Sequence, residues 1–329
     1  MSWSVAIVSG MYVLGWALCL LMLYVVPRKR DPESAGGWLL FSFFFPYLAT
    51  LLFFLIGSPK LPLARRDRQR AIDETLSGLR QSLQEDPELA HIFTHELEPR
   101  RQQIATLVER LGGMVVMQGD VELLDDYTAT IDRIAADVEA SQRYVHLLYY
   151  IFADDECGRK VVDALCRAAD RGVACRVLYD GLGNSSYLGQ LSTRFQQAGI
   201  EAHPVLPLKL FGAKRLRPDL RNHRKIAVID GQIAYTGSQN ITDPTFKPGI
   251  VYEELVARLT GPIVAQLAVI FLTDWLSETE VGLPETERPD RATLVAQAGT
   301  APCQVLPSGP AYDTDNISLL FGALLFAAQ

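Results

Sequence analysis

The sequence predicts an α/β sheet body with helices on both faces, carried on an N-terminal hairpin of two membrane-crossing helices. Three observations predict it: two long apolar stretches within the first 57 residues, alternating helix and strand patterns from about residue 112, and a strand-and-turn phrase at 222–240 headed by polar residues. Apolar residues make up 49% of the 329, and a mean hydropathy of +0.11 is high for a chain without membrane segments.

Residues 5–26 are apolar and uncharged, 22 positions in all, enough for a helix to cross a hydrocarbon core of about 30 Å. A secretory signal peptide is the rival reading, but no basic segment precedes the run and the run is too long. Pro27-Arg28-Lys29-Arg30-Asp31-Pro32 ends it. Residues 38–56 form the second span, with Trp38 and Tyr47 among its aromatics and Pro46 as a kink. Two buried core helices are the alternative to two spans. A hairpin returns everything after residue 57 to the side of the N-terminus. Arg28, Lys29 and Arg30 flank one side, against Lys60, Arg65, Arg66, Arg68 and Arg70 on the other. The excess of basic residues therefore places the body in the cytoplasm, in a multi-pass protein of the inner membrane.

Residues 58–111 read as a charged helical linker along the membrane surface. His91 and His95, four apart, could share a metal on one helical face, but no third ligand stands at a recognisable spacing, and two solvated histidines are the plainer account. The body opens at Gly112-Gly113. Residues 125–142 have helical periodicity, 144–152 read as a buried strand, and Asp154, Asp155 and Gly158 open a helix over 159–169. A glycine turn leads into the strand ending Tyr179-Asp180, then come a helix at 190–198 and a short strand at 200–204. After the 222–240 phrase a strand is expected over 252–259, then an amphipathic helix over 263–276 with Phe271 and Trp275 available for the core. Adjacent Glu253 and Glu254 in that strand would face opposite ways; the alternative is that both are solvated at a sheet edge.

Net charge is −7, unevenly spread: residues 1–70 hold 8 basic and 3 acidic side chains, net +5, and the remainder is net −12. A body this acidic argues against nucleic acid as a partner. Its basic residues concentrate at Lys209, Lys214, Arg215, Arg217, Arg221, Arg224 and Lys225, either a solvated face or a funnel for anionic headgroups. Cys19, Cys157, Cys166, Cys175 and Cys303 show neither paired nor metal-ligand spacing and read as free thiols.

The central phrase is Asn222-His223-Arg224-Lys225-Ile226-Ala227-Val228-Ile229-Asp230, followed by Tyr235-Thr236-Gly237-Ser238-Gln239-Asn240. Strand alternation puts His223 and Lys225 on one side, an imidazole beside a fixed cation, which is what attack on a phosphate needs. Asp230 has the other parity. Ordinary polar residues at a strand end are the bland alternative. His223-x-Lys225-x-x-x-x-Asp230 with Gly237-Ser238-x-Asn240 behind it resembles the HKD motif of the phospholipase D superfamily, and the surrounding wording resembles the bacterial cardiolipin synthases, as do the Tyr-Ile-Phe-x-Asp and Arg-Gly-Val phrases.

That resemblance implies a phosphatidyltransferase joining two phosphatidylglycerol molecules into cardiolipin with release of glycerol, through a phosphohistidine, with no cofactor or metal. It implies His223, Lys225, Asp230 and Glu254 as the catalytic set: His223 the nucleophile, Glu254 fixing the imidazole, Tyr252 the aromatic before it, and Asp230 holding the strand rather than acting on substrate. Lys225, Ser238 and Asn240 would hold the phosphate. The membrane bilayer is the implied partner surface.

Family members build one site from two such halves. Here 112–300 reads as the first domain and 301–329 as the start of a second, because Val305–Pro310 and a terminal helix repeat the plan of Gly119-Asp120 and the helix ending at Gln142. The second histidine is then expected from a missing C-terminal half or from a homodimer, and this chain alone is expected to be inactive. Other readings within the superfamily are a phosphatidylserine synthase, a phospholipase D or an HKD nuclease; outside it, a non-catalytic membrane protein.

Overall fold

The computed structural model describes residues 3–30, 32–57, 67, 81, 83–93, 97–184, 187–207, 221–309, 312 and 314–328. They divide into two compact units, Met1–Leu61 and Pro62–Gln329. Among the residues named above, Lys60, Arg65, Arg66, Arg68, Arg70, His95, Lys209, Lys214, Arg215 and Arg217 lie outside the described set, as does nearly half of the expected linker over 58–111.

In the first unit, α1 (Trp3–Lys29) has the length and composition of a membrane span. At 1.5 Å per residue it extends about 40 Å. The second apolar stretch is not one long helix. It forms α2 (Pro32–Phe44) and α3 (Pro46–Ile56), broken where Pro46 takes the first position of a new helix and Phe45 leaves helical geometry. The three helices pack by aromatic contacts, with the Trp38 and Phe53 rings 5.2 Å apart edge to face. Arg30 donates to the Gly57 carbonyl at 2.7 Å, placing a cation where α3 leaves its last carbonyls unpaired.

The second unit is built on one eight-stranded sheet: β1 (Met117–Leu124), β2 (Tyr144–Tyr149), β3 (Ala174–Asp180), β4 (Glu201–Val205), β5 (Lys225–Ile229), β6 (Ile233–Gly237), β7 (Val256–Thr260) and β8 (Ala301–Cys303). Their order is β4-β3-β2-β5-β6-β7-β1-β8. β2, β3 and β4 run parallel, joined by helical crossovers, and the remaining pairings are antiparallel. β2 reads Tyr-Val-His-Leu-Leu-Tyr with every residue buried, as expected of a strand covered on both faces.

Alternation along β2 supplies two cores. Val145, Leu147 and Tyr149 pack with α5 (Tyr127–Glu139) and α6 (Glu156–Asp170). Tyr144 and Leu148 pack with α8 (Val264–Thr279), through Leu267, Phe271 and Trp275. A short α7 (Leu191–Gln197) precedes β4. Asp126 and Asp155 cap α5 and α6 by accepting the N–H groups of Ala129 and Gly158, both at 2.9 Å.

Between β5 and β6, Asp230 and Gly231 both take positive φ, 54° and 68°, the backbone of a primed hairpin turn. A Cβ on Gly231 would also stand 2.6 Å from the Tyr144 hydroxyl.

β7 begins at Val256, four residues later than expected. Its partner β6 ends at Gly237, and Ser238 then occupies Leu255: Ser238 N–H donates to the Leu255 carbonyl at 3.0 Å and Leu255 N–H donates to Ser238 Oγ at 3.1 Å. Tyr252, Glu253 and Glu254 form an irregular lead-in, so strand parity does not govern the glutamates: Glu253 is exposed and Glu254 half-buried. Near the end of the chain, β8 extends the same sheet by pairing with β1. After it α10 (Asn316–Ala327) packs on α4 (Pro99–Gly112), with Asn316 donating to the Leu111 and Pro307 carbonyls. A short α9 (Arg291–Ala296) lies between β7 and β8.

Candidate active site at the head of β5

The head of β5 is where three chain segments meet. Residues 150–153 leave the end of β2, and Asp180 to Asn184 turn away from the end of β3. The segment 221–224 leads into β5. Tyr149 pairs with both Lys225 and Tyr179, so all three segments stand at one edge of the sheet, where residues leaving parallel strands commonly converge on ligands.

His223 stands two residues before β5 and is solvent-accessible. Its imidazole lies against the Tyr150 ring, centroids 3.9 Å apart and planes inclined at 37°. Lys225 Nζ donates to the His223 carbonyl at 2.8 Å and sits 5.6 Å from the Tyr150 centroid. Desolvation of the ring, and then the Lys225 charge, hold the His223 pKa below its ordinary value; Asp180 pulls the other way. Burial likewise lowers Lys225, opposed by the Glu254 carboxylate.

The other residues of the phrase point elsewhere. Asn222 and Arg224 both reach Asp274 on α8: Asn222 Nδ2 donates to Oδ2 at 3.1 Å and Arg224 Nη1 to Oδ1 at 2.6 Å. Arg224 also donates to the Ser308 carbonyl at 2.9 Å. Burial opposes the Arg224 charge but Asp274 overcomes it and holds the pKa above the ordinary value. Arg221 pairs with Asp180 at 3.2 Å. The two described arginines of the expected headgroup funnel are therefore committed to internal ion pairs: tertiary carboxylates at 180 and 274 neutralise side chains that sequence proximity alone groups with Lys225.

Asn240 is half-buried, with Oδ1 accepting the Ile151 N–H at 3.0 Å. Ser238 is exposed and its hydroxyl is engaged with Leu255 as above. Glu254 is close enough to Lys225 to act on its charge; among the described contacts, none joins Glu254 directly to His223. Asp230 stands at the opposite end of β5 from His223, seven residues on, a distance of roughly 23 Å along an extended chain. His91 lies far from this cluster in sequence, on a 3-10 turn, Pro87–Ile92, where Nδ1 bonds the Glu88 carbonyl at 2.9 Å.

Two residues of the cluster escape motif reading. Asp180 is buried and accepts from Leu182 N at 3.0 Å, Gly183 N at 2.8 Å, Asn222 N at 3.2 Å and Arg221, so it ties the loop after β3 to the histidine segment. Tyr150 is the second. The signal available for both was position, each standing at or just past the end of a strand in the parallel part of the sheet, and Tyr150 also opens the Tyr-Ile-Phe-x-Asp phrase. A cavity of about 730 Å³, lined by Met114, Val115, Met117, Val269 and Ile270 with Arg224 at its wall, lies on the α8 side.

Known proteins give this arrangement its context. The family model described as cardiolipin synthase, PLD-like domain matches residues 134–275, which include β2 through β7 and the whole cluster. The chain is 31% identical over 337 residues to cardiolipin synthase A of Pectobacterium carotovorum subsp. carotovorum, an alignment spanning 100% of this chain and 69% of that protein. It is 28% identical over 335 residues to cardiolipin synthase A of Erwinia tasmaniensis, spanning 100% and 67%. Among solved structures, NucT from Helicobacter pylori aligns at a TM-score of 0.40 and 16% identity, over 50% of this chain and 100% of that one. The phosphatidylserine synthase of Haemophilus influenzae aligns at 0.42 and 15%, over 57% and 44%.

Proposed function

This chain belongs to the bacterial cardiolipin synthases, phosphatidyltransferases with a phospholipase D-like domain, and from that premise we propose how its residues carry the transfer. A ring nitrogen of His223 attacks the phosphorus of one phosphatidylglycerol. An N–P bond forms, the bond to the headgroup glycerol breaks, and glycerol leaves with a proton. The glycerol hydroxyl of a second phosphatidylglycerol then attacks the same phosphorus, loses its proton, and displaces the imidazole to give cardiolipin. One phosphodiester replaces another, so no nucleotide is consumed.

The observation that carries this reading is the pairing of His223 with Lys225 at one strand head, with the imidazole pKa depressed. A nucleophilic imidazole must be neutral, and a lowered pKa keeps it so at and somewhat below neutral pH. Lys225, already beside the His223 carbonyl, supplies charge to the non-bridging oxygens; Asn240 and Ser238 line the same approach. Glu254 acts on this site through Lys225, and its role toward the imidazole is part of the proposal. Asp230 serves the strand.

The proton donor for the leaving glycerol is a second histidine, from a further segment of the protein or from a second copy of the chain. The exposed apolar residues of α10, with Phe321 60%, Leu325 76% and Phe326 87% accessible, suit a helix that another surface covers. Residues 301–329 are accordingly read as the start of that second half, although β8 hydrogen-bonds into the first sheet. We further propose that α1 crosses the inner membrane and that α2 and α3 together recross it, leaving the body in the cytoplasm beside its lipid substrate.

The test is product stoichiometry in the full-length protein. One glycerol should appear per cardiolipin from phosphatidylglycerol alone, and His223→Ala should abolish both. Turnover retained by His223→Ala would remove the nucleophile assignment.

A further inference from the structure

We propose that Tyr150 is the positioning residue for His223: its ring face sets the orientation of the imidazole and keeps the Lys225 ammonium beside it. The inference rests on the reading of His223 as nucleophile.

His223 lies outside the strand ladder, and among the described residues no hydrogen bond holds its ring. The Tyr150 ring lies directly against it at 3.9 Å, and the same ring faces Lys225 Nζ at 5.6 Å, within range of a cation–π attraction. One aromatic side chain thus touches both groups that would act on the phosphate.

Tyr150 is itself held firmly. Its carbonyl accepts Asn184 Nδ2 at 2.6 Å, and Asn184 Oδ1 accepts the Phe152 N–H at 2.6 Å. On the other side the Ile151 N–H donates to Asn240 Oδ1, Ile241 N–H donates to the Ile151 carbonyl at 3.2 Å, and Ala153 N–H donates to the Ile241 carbonyl at 3.0 Å. The backbone of 150–153 is clamped between the loop after β3 and the segment after β6. Gly183 completes the seat: a Cβ there would stand 3.1 and 3.2 Å from Cε2 and Cζ of the Tyr150 ring and 2.9 Å from its carbonyl oxygen. The ring therefore stands close to the backbone of Gly183 as well as to the imidazole. Asn240 takes a second meaning here, since its recorded hydrogen bond supports the backbone that carries Tyr150.

Preorganisation of this kind acts on the chemical step more than on ground-state binding, because a nucleophile displaced by about 1 Å can cost on the order of 100-fold in rate. In the full-length protein, Tyr150→Leu should lower kcat about 10- to 100-fold with KM changed less than about threefold, and Tyr150→Phe, which keeps the ring, should stay within about threefold of wild type in both. Gly183→Ala keeps the tyrosine but presses on its carbonyl and its ring, and should lower kcat in the same direction.

A second readout needs no turnover. Carbethoxylation of His223 by diethyl pyrocarbonate, followed by mass spectrometry, should be faster in Tyr150→Leu and unchanged in Tyr150→Phe, because the ring covers one imidazole face. Wild-type kcat in Tyr150→Leu with unaltered His223 reactivity overturns the proposal, as does a loss in Tyr150→Phe equal to that in Tyr150→Leu. His223→Ala separates the two failures: if it is inactive while Tyr150→Leu is fully active, only the positioning role falls, whereas an active His223→Ala removes the reading beneath it.

Discussion

The carboxylate of Asp230 accepts the backbone N–H of Tyr144 at 2.9 Å, and the same group takes Arg143 N and Gln142 N, each at 2.8 Å. Three consecutive donors at the start of β2 are thus satisfied by the last residue of the motif. β2 is the strand from which Tyr150 emerges and β5 the strand that His223 heads, so this joint fixes the register in which the two rings meet.

Removing that carboxylate leaves three backbone donors at the sheet end without their acceptor. Asp230→Ala should destabilise the detergent-solubilised chain by about 2–4 kcal/mol in thermal unfolding, and Asp230→Asn should recover part of the loss by keeping one acceptor oxygen. In the full-length protein the surviving folded fraction should turn over with near wild-type KM. A large kcat defect with unchanged stability would put Asp230 in the chemistry after all.

The body also carries a buried ionisable cluster away from the active site. His146 is fully buried, its ring between Tyr144 and Phe271 at 4.6 and 4.5 Å. Its Nε2 is 3.6 Å from Glu287 Oε2, too long for a hydrogen bond, and Arg176 pairs with Glu287 through Nε and Nη2. Burial lowers the His146 pKa below its ordinary 6.5, while Glu287, despite burial that opposes its charge, is brought down to about 2 by Arg176 and His146.

Both groups make acid destabilising. Below pH 6.5 the unfolded chain protonates His146 before the folded chain does, so stability falls as pH drops toward the lowered folded-state value, by up to about 1.4 kcal/mol per pH unit. Glu287 adds a second loss as pH falls from 4.5 toward 2, where the unfolded carboxyl takes a proton first. His146→Phe, which keeps a ring between Tyr144 and Phe271, should remove the first decline and leave the second. Melting temperature measured from pH 2 to 8 checks this; an unchanged slope just below pH 6.5 in His146→Phe would contradict it.

The membrane arrangement is open to a direct chemical test. A cysteine placed at Lys29, the last residue of α1, should react with a membrane-impermeant maleimide in intact spheroplasts, above the background of the native thiols. A cysteine at Gln232, exposed in the turn before β6, should react only after lysis. Labelling of Gln232 but not of Lys29 from outside would reverse the orientation, and labelling of both or of neither before lysis would argue against two crossings.

Much of this architecture was legible because the body's strands and helices obey simple periodicities. The buried strand β2, the helix with Phe271 and Trp275 inward and the Asp-Gly turn after β5 all follow from local pattern. Two features did not, each for a tertiary reason. Arg224 and Asp274 are 50 positions apart and Arg221 and Asp180 are 41 apart, so nothing local distinguishes these arginines from a solvated basic face. β7 starts late because its partner strand ends at Gly237, a fact about β6 rather than about the Glu253-Glu254 segment. The break of the second apolar stretch into two shorter helices falls at Pro46, the kink that the sequence marks. The side chains of the stretch are apolar all round, so periodicity carries no information there, and only the missing N–H of proline marks the break.

The role of His223 rests most directly on trapping its intermediate. The full-length protein, incubated with phosphatidylglycerol labelled at phosphorus and quenched in alkali, should carry label on a peptide containing His223, stable to base and released by acid. Label should be absent from His223→Ala and more persistent when the acceptor lipid is limiting. Cardiolipin formed at the normal rate with no phosphorus ever bound at His223, or with label on another residue in its place, would contradict the account.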